Sequence, residues 1–194
     1  MQLCPTKLSE LSGDPFLRCD VDNLLMRHKH LFMNHKRLAE FITFIETGKP
    51  ITREDYTDVS ENIHFLVRNI SGGTACYNNL LYISDEKADE LAAFRIETGD
   101  IVMAISSNCG ATFLYEGDRS ENITLSHYLC RFRVDSSRLR PKYLLYYLNS
   151  SLMQEYFRGV ETGKTQKNLS KVYIHDAPIF VPSIKEQDEL CKRI

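Results

Sequence analysis

The sequence lacks the features of a protein that enters or crosses a membrane. No uncharged stretch reaches the roughly 18 residues that a transmembrane helix needs. Met1 to Glu10 contains no basic segment followed by an apolar one, as a signal peptide would. We therefore expect a cytoplasmic protein with no membrane partner. The 194 residues suffice for one ordinary domain and are too few for two full ones.

Paired cysteines are also missing, although the chain has six cysteines. No two of them form a C-x-x-C motif, and secreted disulfide scaffolds are usually shorter and richer in cysteine. Reduced, mostly buried thiols are the better interpretation, and the absence of paired ligands argues against a zinc site. The six are Cys4, Cys19, Cys76, Cys109, Cys130 and Cys191.

The motifs of common catalytic sites are absent as well. Without any Pro-Pro pair, the chain cannot hold the Asn/Asp-Pro-Pro-aromatic tetrad of an amino-methyltransferase. Gly159 to Thr165 resembles a P-loop but has three intervening residues instead of four and follows a predicted helix. We predict no catalytic residues, no cofactor and no metal. An autonomous methyltransferase or nuclease is the weaker alternative.

Net charge is close to zero, but the charges are unevenly distributed. The total of -2 argues against a histone-like protein held to DNA by bulk charge. Residues 38–100 carry five bases and twelve acids, which gives -7, whereas residues 121–175 carry nine bases and four acids, which gives +5. The basic segment suggests one anion-facing surface. The alternative is that its charges are simply solvated or paired.

Hydrophobic periodicity predicts an α+β fold. A single mixed, twisted sheet is expected to be covered by a helix over 141–158, with Pro141 in its first turn. The run IVMAIS after Gly99-Asp100 is continuously apolar, which predicts a strand buried on both faces. The expected sheet segments lie near 63–70, 78–83, 101–106, 111–116 and 123–134.

An ordered set of short motifs carries more information than any one of them. A loop with the pattern Gly163-x-x-Gln166-x-Asn168-Leu169-Ser170 precedes Pro178-Ile179-x-Val181-Pro182 and Glu186-Gln187. Gly48-Lys49-Pro50-Ile51-Thr52, Gly99-Asp100-Ile101-Val102 and Pro141-Lys142-Tyr143-Leu144 come earlier. Over residues 36–190 this succession resembles a target recognition domain of the DNA specificity subunit of type I restriction–modification systems.

The resemblance implies a function and an organisation. Such a subunit reads a two-part DNA target without catalysing any reaction, while methyltransferase subunits and a restriction subunit modify or cleave the DNA. The implied divisions are an N-terminal segment with a short helix (1–35), a recognition domain (36–183) and the start of a spacer helix (184–194). A homodimer through that C-terminal helix is a further expectation. A protein–protein adaptor that docks through the same helix is the alternative.

Polar and basic residues in loops and at strand ends are the candidate DNA contacts. Gln166 and Asn168 can each grip adenine through two hydrogen bonds, and lysines beside them can meet phosphates. Arg131 and Arg133 share one face of a predicted strand, where they either track phosphate or pair with acids across the sheet. The full set is Lys49, Arg68, Asn69, Ser71, Ser107, Asn108, Arg131, Arg133, Lys164, Thr165, Gln166, Lys167 and Asn168.

Overall fold

A computed structural model describes residues 35–117 and 122–193 of the chain. The helix predicted within the N-terminal segment, over residues 21–33, lies outside the described residues. The described strands are β1 (Lys36–Arg37), β2 (Ile42–Thr47), β3 (Tyr56–Thr57), β4 (Asn62–Phe65), β5 (Ile70–Ser71), β6 (Thr74–Ala75), β7 (Leu81–Ile83), β8 (Ile101–Ala104), β9 (Thr112–Leu114), β10 (Asn122–Leu125), β11 (Leu129–Val134) and β12 (Pro178–Ile179).

The strands form two four-stranded sheets instead of the single sheet predicted. The first has the order β2-β11-β8-β9 with every pair antiparallel. The second has the order β10-β4-β7-β3, in which β10 and β4 run parallel. Two short pairs, β1-β12 and β5-β6, complete the described strands. The predicted α+β class is confirmed, and the number of sheets is corrected.

The segment 123–134, predicted as one long strand, is divided between the two sheets. It breaks at a tight turn in which Leu129 N donates to Ser126 O at 2.9 Å. Ser126 N in turn donates to Phe65 O, also at 2.9 Å, where β4 ends. The chain therefore leaves the second sheet as β10 and enters the first as β11. Alternating hydrophobicity indicates a strand but does not indicate which sheet it joins.

The described helices are α1 (Asp85–Glu90), α2 (Pro141–Leu148), α3 (Ser151–Val160), α4 (Lys171–His175) and α5 (Ile184–Arg193). The single helix predicted over 141–158 is therefore two. Asn149 Nδ2 donates to Leu145 O and Thr112 O, and the Ser150 side chain accepts from Met153 N at the start of α3. A serine at the N-cap satisfies a free backbone donor and begins a new helix there.

The hydrophobic core has two layers that meet at β8. Met103 faces the helices with Phe132, Leu144 and Tyr156, whereas Val102 faces the second sheet. All four residues of β8 are buried, as the uninterrupted apolar run predicts. None of the helices within 35–117 and 122–193 is long and apolar enough to cross a membrane.

The C-terminal helix α5 is attached to this body through polar contacts. Gln187 is fully buried, donates Nε2 to Arg138 O and Pro182 O, and accepts from Arg140 N. The Arg140 guanidinium makes two hydrogen bonds to the Asp188 carboxylate, at 2.8 and 3.1 Å. The Glu-Gln motif therefore has a structural role: its glutamine fixes where the helix leaves the domain.

Candidate DNA interface

Strand ends from both sheets converge at one edge of the molecule. Thr47, which ends β2, pairs with Cys130 at the start of β11, and Ala104, which ends β8, pairs with Leu129. The parallel strands β4 and β10 end side by side, and the Ser126–Phe65 hydrogen bond joins that end to the start of β11. We call the resulting surface the loop edge; it consists of residues 48–50, 66–69, 105–111, 126–128 and 162–168.

Two loops of this edge, 105–111 and 162–168, are held together by backbone pairing. Ser106 and Asn168 form an isolated antiparallel bridge. Ser107 N donates to Lys167 O at 2.9 Å, and Leu169 N donates to Ile105 O at 2.8 Å. Loops that lie 60 residues apart in the sequence thus form one rigid unit. This unit brings together seven of the predicted contacts: Ser107, Asn108, Lys164, Thr165, Gln166, Lys167 and Asn168.

The glycine of the Gly-x-x-Gln-x-Asn motif is required by the shape of the loop. Thr162 and Asn168 exchange two backbone hydrogen bonds of 2.8 Å, which closes a narrow loop. Gly163 has φ +101°, and a Cβ there would lie 2.1 Å from Gln166 O. Because only glycine fits this backbone without strain, the motif shapes the loop and displays the exposed Lys164 and Thr165 at its tip.

The motif's amides are partly engaged within the protein. Gln166 Nε2 donates to the buried Ser106 hydroxyl at 2.9 Å, and Asn168 Nδ2 donates to Gln166 O at 3.2 Å. A side-chain amide has two N–H groups and an oxygen, and a two-bond contact to adenine needs one of each. Both residues are exposed, so that capacity is retained. Lys167 is half-buried and pairs with Glu161 at 3.4 Å.

Three other candidates lie along or beside the loop edge. Lys49 is exposed just after β2, where its ammonium sits 4.6 Å from the centre of the Phe94 ring. The Arg68 guanidinium is exposed and donates twice to Asn79 O. Ser71 is exposed on β5. Within 105–111, the exposed Ser107 adopts φ +63°, a left-handed conformation that is uncommon for a residue other than glycine.

Arg131 does not face a partner molecule, which corrects its prediction as a DNA contact. Its side chain is 5% exposed and pairs with the fully buried Asp100 carboxylate at 3.2 Å and with Glu46 at 2.9 Å. It also donates to the backbone oxygens of Ala93 and Arg95. These contacts engage both terminal nitrogens of the guanidinium within the protein. For Arg131, the alternative interpretation, pairing with acidic residues across the sheet, is the correct one.

Arg133 belongs to the same network, but its side chain is 33% exposed, so its contact with DNA remains a prediction. Its guanidinium contacts Asp100, and it pairs with Glu97 at 3.1 Å. Arg138 and Arg140 follow β11 at its other end and bind Glu40 O and Asp188. The basic segment 121–175 is therefore not one anion-facing surface, because many of its cations have carboxylate or backbone partners.

Asn69 is also a structural residue. It is fully buried, its Oδ1 accepts from Leu66 N, and its Nδ2 donates to Cys76 O and Asn78 O. These three bonds hold together the loop that follows β4. The prediction that Asn69 contacts DNA is therefore wrong, since no polar atom of its side chain reaches the surface.

Exposed carboxylates lie at the end of the sheets opposite the loop edge, where β4, β8 and β10 begin. Asp85 accepts a 2.7 Å hydrogen bond from Asn62 at the start of β4, and Glu97 precedes β8. The molecule therefore has an acidic end and, at the loop edge, a set of cations. The exposed acids of that end are Glu61, Asp85, Glu86, Glu97 and Glu116.

The turn between β10 and β11 adds two loop-edge residues that the sequence reasoning missed. His127 and Tyr128 are exposed, and their ring centres lie 3.8 Å apart. They were missed because residues 123–134 were interpreted as one strand. A polar His-Tyr pair between two apolar runs was the available signal for a turn.

The His, Cys, Asp and Glu side chains of the described residues do not assemble a metal site. No group of three His, Cys, Asp or Glu side chains within them is placed to hold a metal ion. Burial raises the pKa of Cys109 to about 11 and that of Cys130 to about 12, so both thiols stay protonated at neutral pH. A protonated, buried thiol is a poor nucleophile and a poor metal ligand.

The sequence is similar to those of known DNA specificity subunits. Residues 33–194 match the family described as Type I restriction modification DNA specificity domain. A Methanocaldococcus jannaschii protein named as the type I restriction enzyme MjaX specificity subunit is 26% identical over 149 residues, 75% of this chain and 32% of that protein. The chain thus spans about a third of this relative's length.

Solved structures share the fold. The S subunit of a type I restriction–modification system from M. genitalium superposes with a TM-score of 0.61 at 17% identity, over 82% of this chain and 37% of that one. The HsdS subunit from Thermoanaerobacter tengcongensis gives 0.59 at 16% identity, over 82% and 36%. With a family match that covers all the described residues, the chain belongs to the type I restriction–modification DNA specificity domain family.

Proposed function

We propose that this chain reads one half of a bipartite double-stranded DNA target through its loop edge. The observation that carries the proposal is the rigid unit of loops 105–111 and 162–168, which displays amides, hydroxyls and lysines together. Amides and hydroxyls match the donor and acceptor patterns of base edges, and lysines match phosphates. The acidic end points the opposite way, so charge orients the molecule toward the duplex.

The chemistry on DNA falls to other polypeptides in this proposal. Methyltransferase subunits transfer the methyl group and a restriction subunit cleaves, while this chain supplies sequence recognition without a cofactor of its own. The complex works in the cytoplasm in this proposal. Residues 36–183 are the recognition domain, and 184–194 begin a spacer helix.

A homodimer through that helix supplies the second half-site. Leu190 is 39% exposed on α5, a helix that is otherwise mostly polar on its outer surface. Two linked recognition domains bind far more tightly than one, because the second binding event is intramolecular. Light scattering of the chain, with Leu190→Lys as the comparison, measures this directly; a monomer at high concentration would remove the dimer from the proposal.

Selection from a random duplex library tests the proposal as a whole. The full chain, alone and with methyltransferase subunits, is incubated with the library at low salt, and bound duplexes are sequenced. We expect one short motif to be enriched, and a Lys164→Ala/Thr165→Ala variant to enrich it less. A Lys142→Ala variant, altered at an exposed site on α2 away from the loop edge, is the matched control. Equal recovery of all sequences by the wild type would overturn DNA reading and favour the adaptor function.

A further inference from the structure

The turn at residues 126–128 lies in the middle of the loop edge. On one side, Lys49 N donates to Leu125 O at 2.9 Å, so the loop after β2 lies against the turn. On the other side, Ile105 N donates to Tyr128 O at 2.9 Å, so the turn also borders loop 105–111. Any duplex placed across both neighbouring loops therefore also meets this turn.

The turn is held rigidly from several directions. Ser126 N bonds to Phe65 O and Leu129 N bonds to Ser126 O. Gly48 packs so closely that a Cβ would lie 2.4 Å from Ser126 O. A surface group whose backbone is already fixed loses little conformational entropy on binding, which makes it an effective recognition element.

This rigid turn exposes an aromatic ring. Tyr128 is 38% exposed, and it is backed by the His127 ring. The other exposed large apolar side chains among the described residues lie off the loop edge, on β3, on the loop after it, or on the C-terminal elements. The surroundings of Tyr128 are polar, with Ser107, Asn108 and Lys49 on the neighbouring loops. Such a setting suits a nucleic acid better than an apolar protein surface.

We propose that Tyr128 is a specificity-determining residue that packs its ring against the C5-methyl group of a thymine in the major groove. That methyl is the apolar feature of the groove and identifies thymine among the base pairs. The amides of the rigid loop unit supply the polar contacts, and Tyr128 supplies the apolar one. The inference rests on the proposed function and adds the chemical feature that one of its contacts reads.

Replacing thymine by deoxyuridine removes this methyl group and nothing else. Each thymine of the selected duplex is replaced in turn, and affinity is measured by fluorescence anisotropy. We expect one position at which the wild type loses about fourfold in affinity, the value for one buried methyl. Tyr128→Ala removes this sensitivity, and Tyr128→Phe retains it because the ring remains.

Tyr56→Ala is the matched control, since Tyr56 is 40% exposed on β3 and away from the loop edge. We expect the Tyr56→Ala variant to lose as much affinity as the wild type when thymine is replaced by deoxyuridine. If Tyr128→Ala still shows every penalty of the wild type, or if no thymine position is sensitive, the inference is overturned while DNA reading stands. If the wild type selects no sequence at all, the proposed function itself fails.

Discussion

At the scale of single residues, position in the fold decides what a polar side chain does. Arg131 and Asn69 have the chemistry of DNA contacts, yet both are buried with their partners. Gln166 and Asn168 have similar chemistry, yet both are exposed. The difference is one of packing: Arg131 lies on a strand covered on both faces and Asn69 is enclosed by its own loop, whereas Gln166 and Asn168 lie on a loop that faces solvent.

Replacing Arg131 by alanine tests its structural role. The change removes one of the two arginines that pair with the buried Asp100 carboxylate, and also the partner of Glu46, and we expect the free energy of unfolding to fall by about 3 kcal/mol. Urea unfolding followed by circular dichroism measures this. Arg53→Ala, at an exposed site, is the control and changes stability by less than about 0.5 kcal/mol. A loss below about 1 kcal/mol for Arg131→Ala would show that the network is not essential to folding.

His64 makes stability depend on pH. It is fully buried, and burial, with a smaller contribution from the charge of His127, lowers its pKa from 6.5 to about 4. Thr124 Oγ1 donates to Ile63 O, so His64 Nδ1 is the donor in its 2.9 Å contact with that hydroxyl. Because the pKa is lowered to about 4, the ring is neutral in the folded protein at pH 7.

Between pH 6.5 and 4, His64 therefore binds a proton in the unfolded chain but not in the folded protein. Stability is complete above pH 6.5 and falls as pH decreases through this window, by about 3 kcal/mol in total. Urea midpoints at a series of pH values measure the slope. His64→Leu removes the titrating group, so its slope over the same window is expected to be flatter; an unchanged slope would assign the effect to other groups.

At the scale of elements, the loop 162–168 depends on a glycine. Gly163→Ala forces a Cβ to within 2.1 Å of Gln166 O at a positive φ, which opens the loop and moves its side chains. We expect DNA affinity to fall at least tenfold, on the order of 1.4 kcal/mol, while the core stays folded.

Gly159 is the natural control for this substitution. It lies in α3 with nothing within 4 Å of a Cβ, so Gly159→Ala stabilises the helix by about 0.5 to 1 kcal/mol. Affinity and thermal unfolding are measured for both variants. If Gly163→Ala bound DNA as well as Gly159→Ala, the shape of the loop would be irrelevant to recognition.

At the scale of the whole molecule, charge polarity limits how strongly one copy can hold DNA. The loop edge carries four bases, namely Lys49, Arg68, Lys164 and Lys167, on a protein of net charge -2. We expect the slope of log affinity against log salt to be no steeper than about -4 for one copy, since each phosphate contact contributes about -0.9.

Titrations of the selected duplex at several salt concentrations give this slope. Lys164→Ala makes it shallower by about 1 and weakens all sequences similarly, because a phosphate contact carries no base information. The exposed Lys142 serves again as the control position. A slope well beyond -4 for a monomer would place phosphate contacts outside the loop edge.

The sequence alone determined the α+β class, the doubly buried strand β8 and the family. Apolar periodicity and the order of motifs can be read along the chain without knowing which segments pack together. Pro141 at the start of α2 is equally local, since the preference for proline in a first helical turn depends only on its immediate neighbours. These features survive in the structure because nothing distant competes with them.

Only the tertiary structure decided which candidates share a surface. Three features depend on contacts between segments that are distant in the sequence. They are the pairing of loops 105–111 and 162–168, the division of 123–134 between two sheets, and the burial of Arg131. The alternation of side chains along a strand has a period of two residues in either sheet. It therefore does not indicate which sheet a strand joins or whether an arginine on it is buried or exposed. The physical reason is that a side chain becomes buried only when layers of structure pack together, and these layers form from strands that are distant in the sequence.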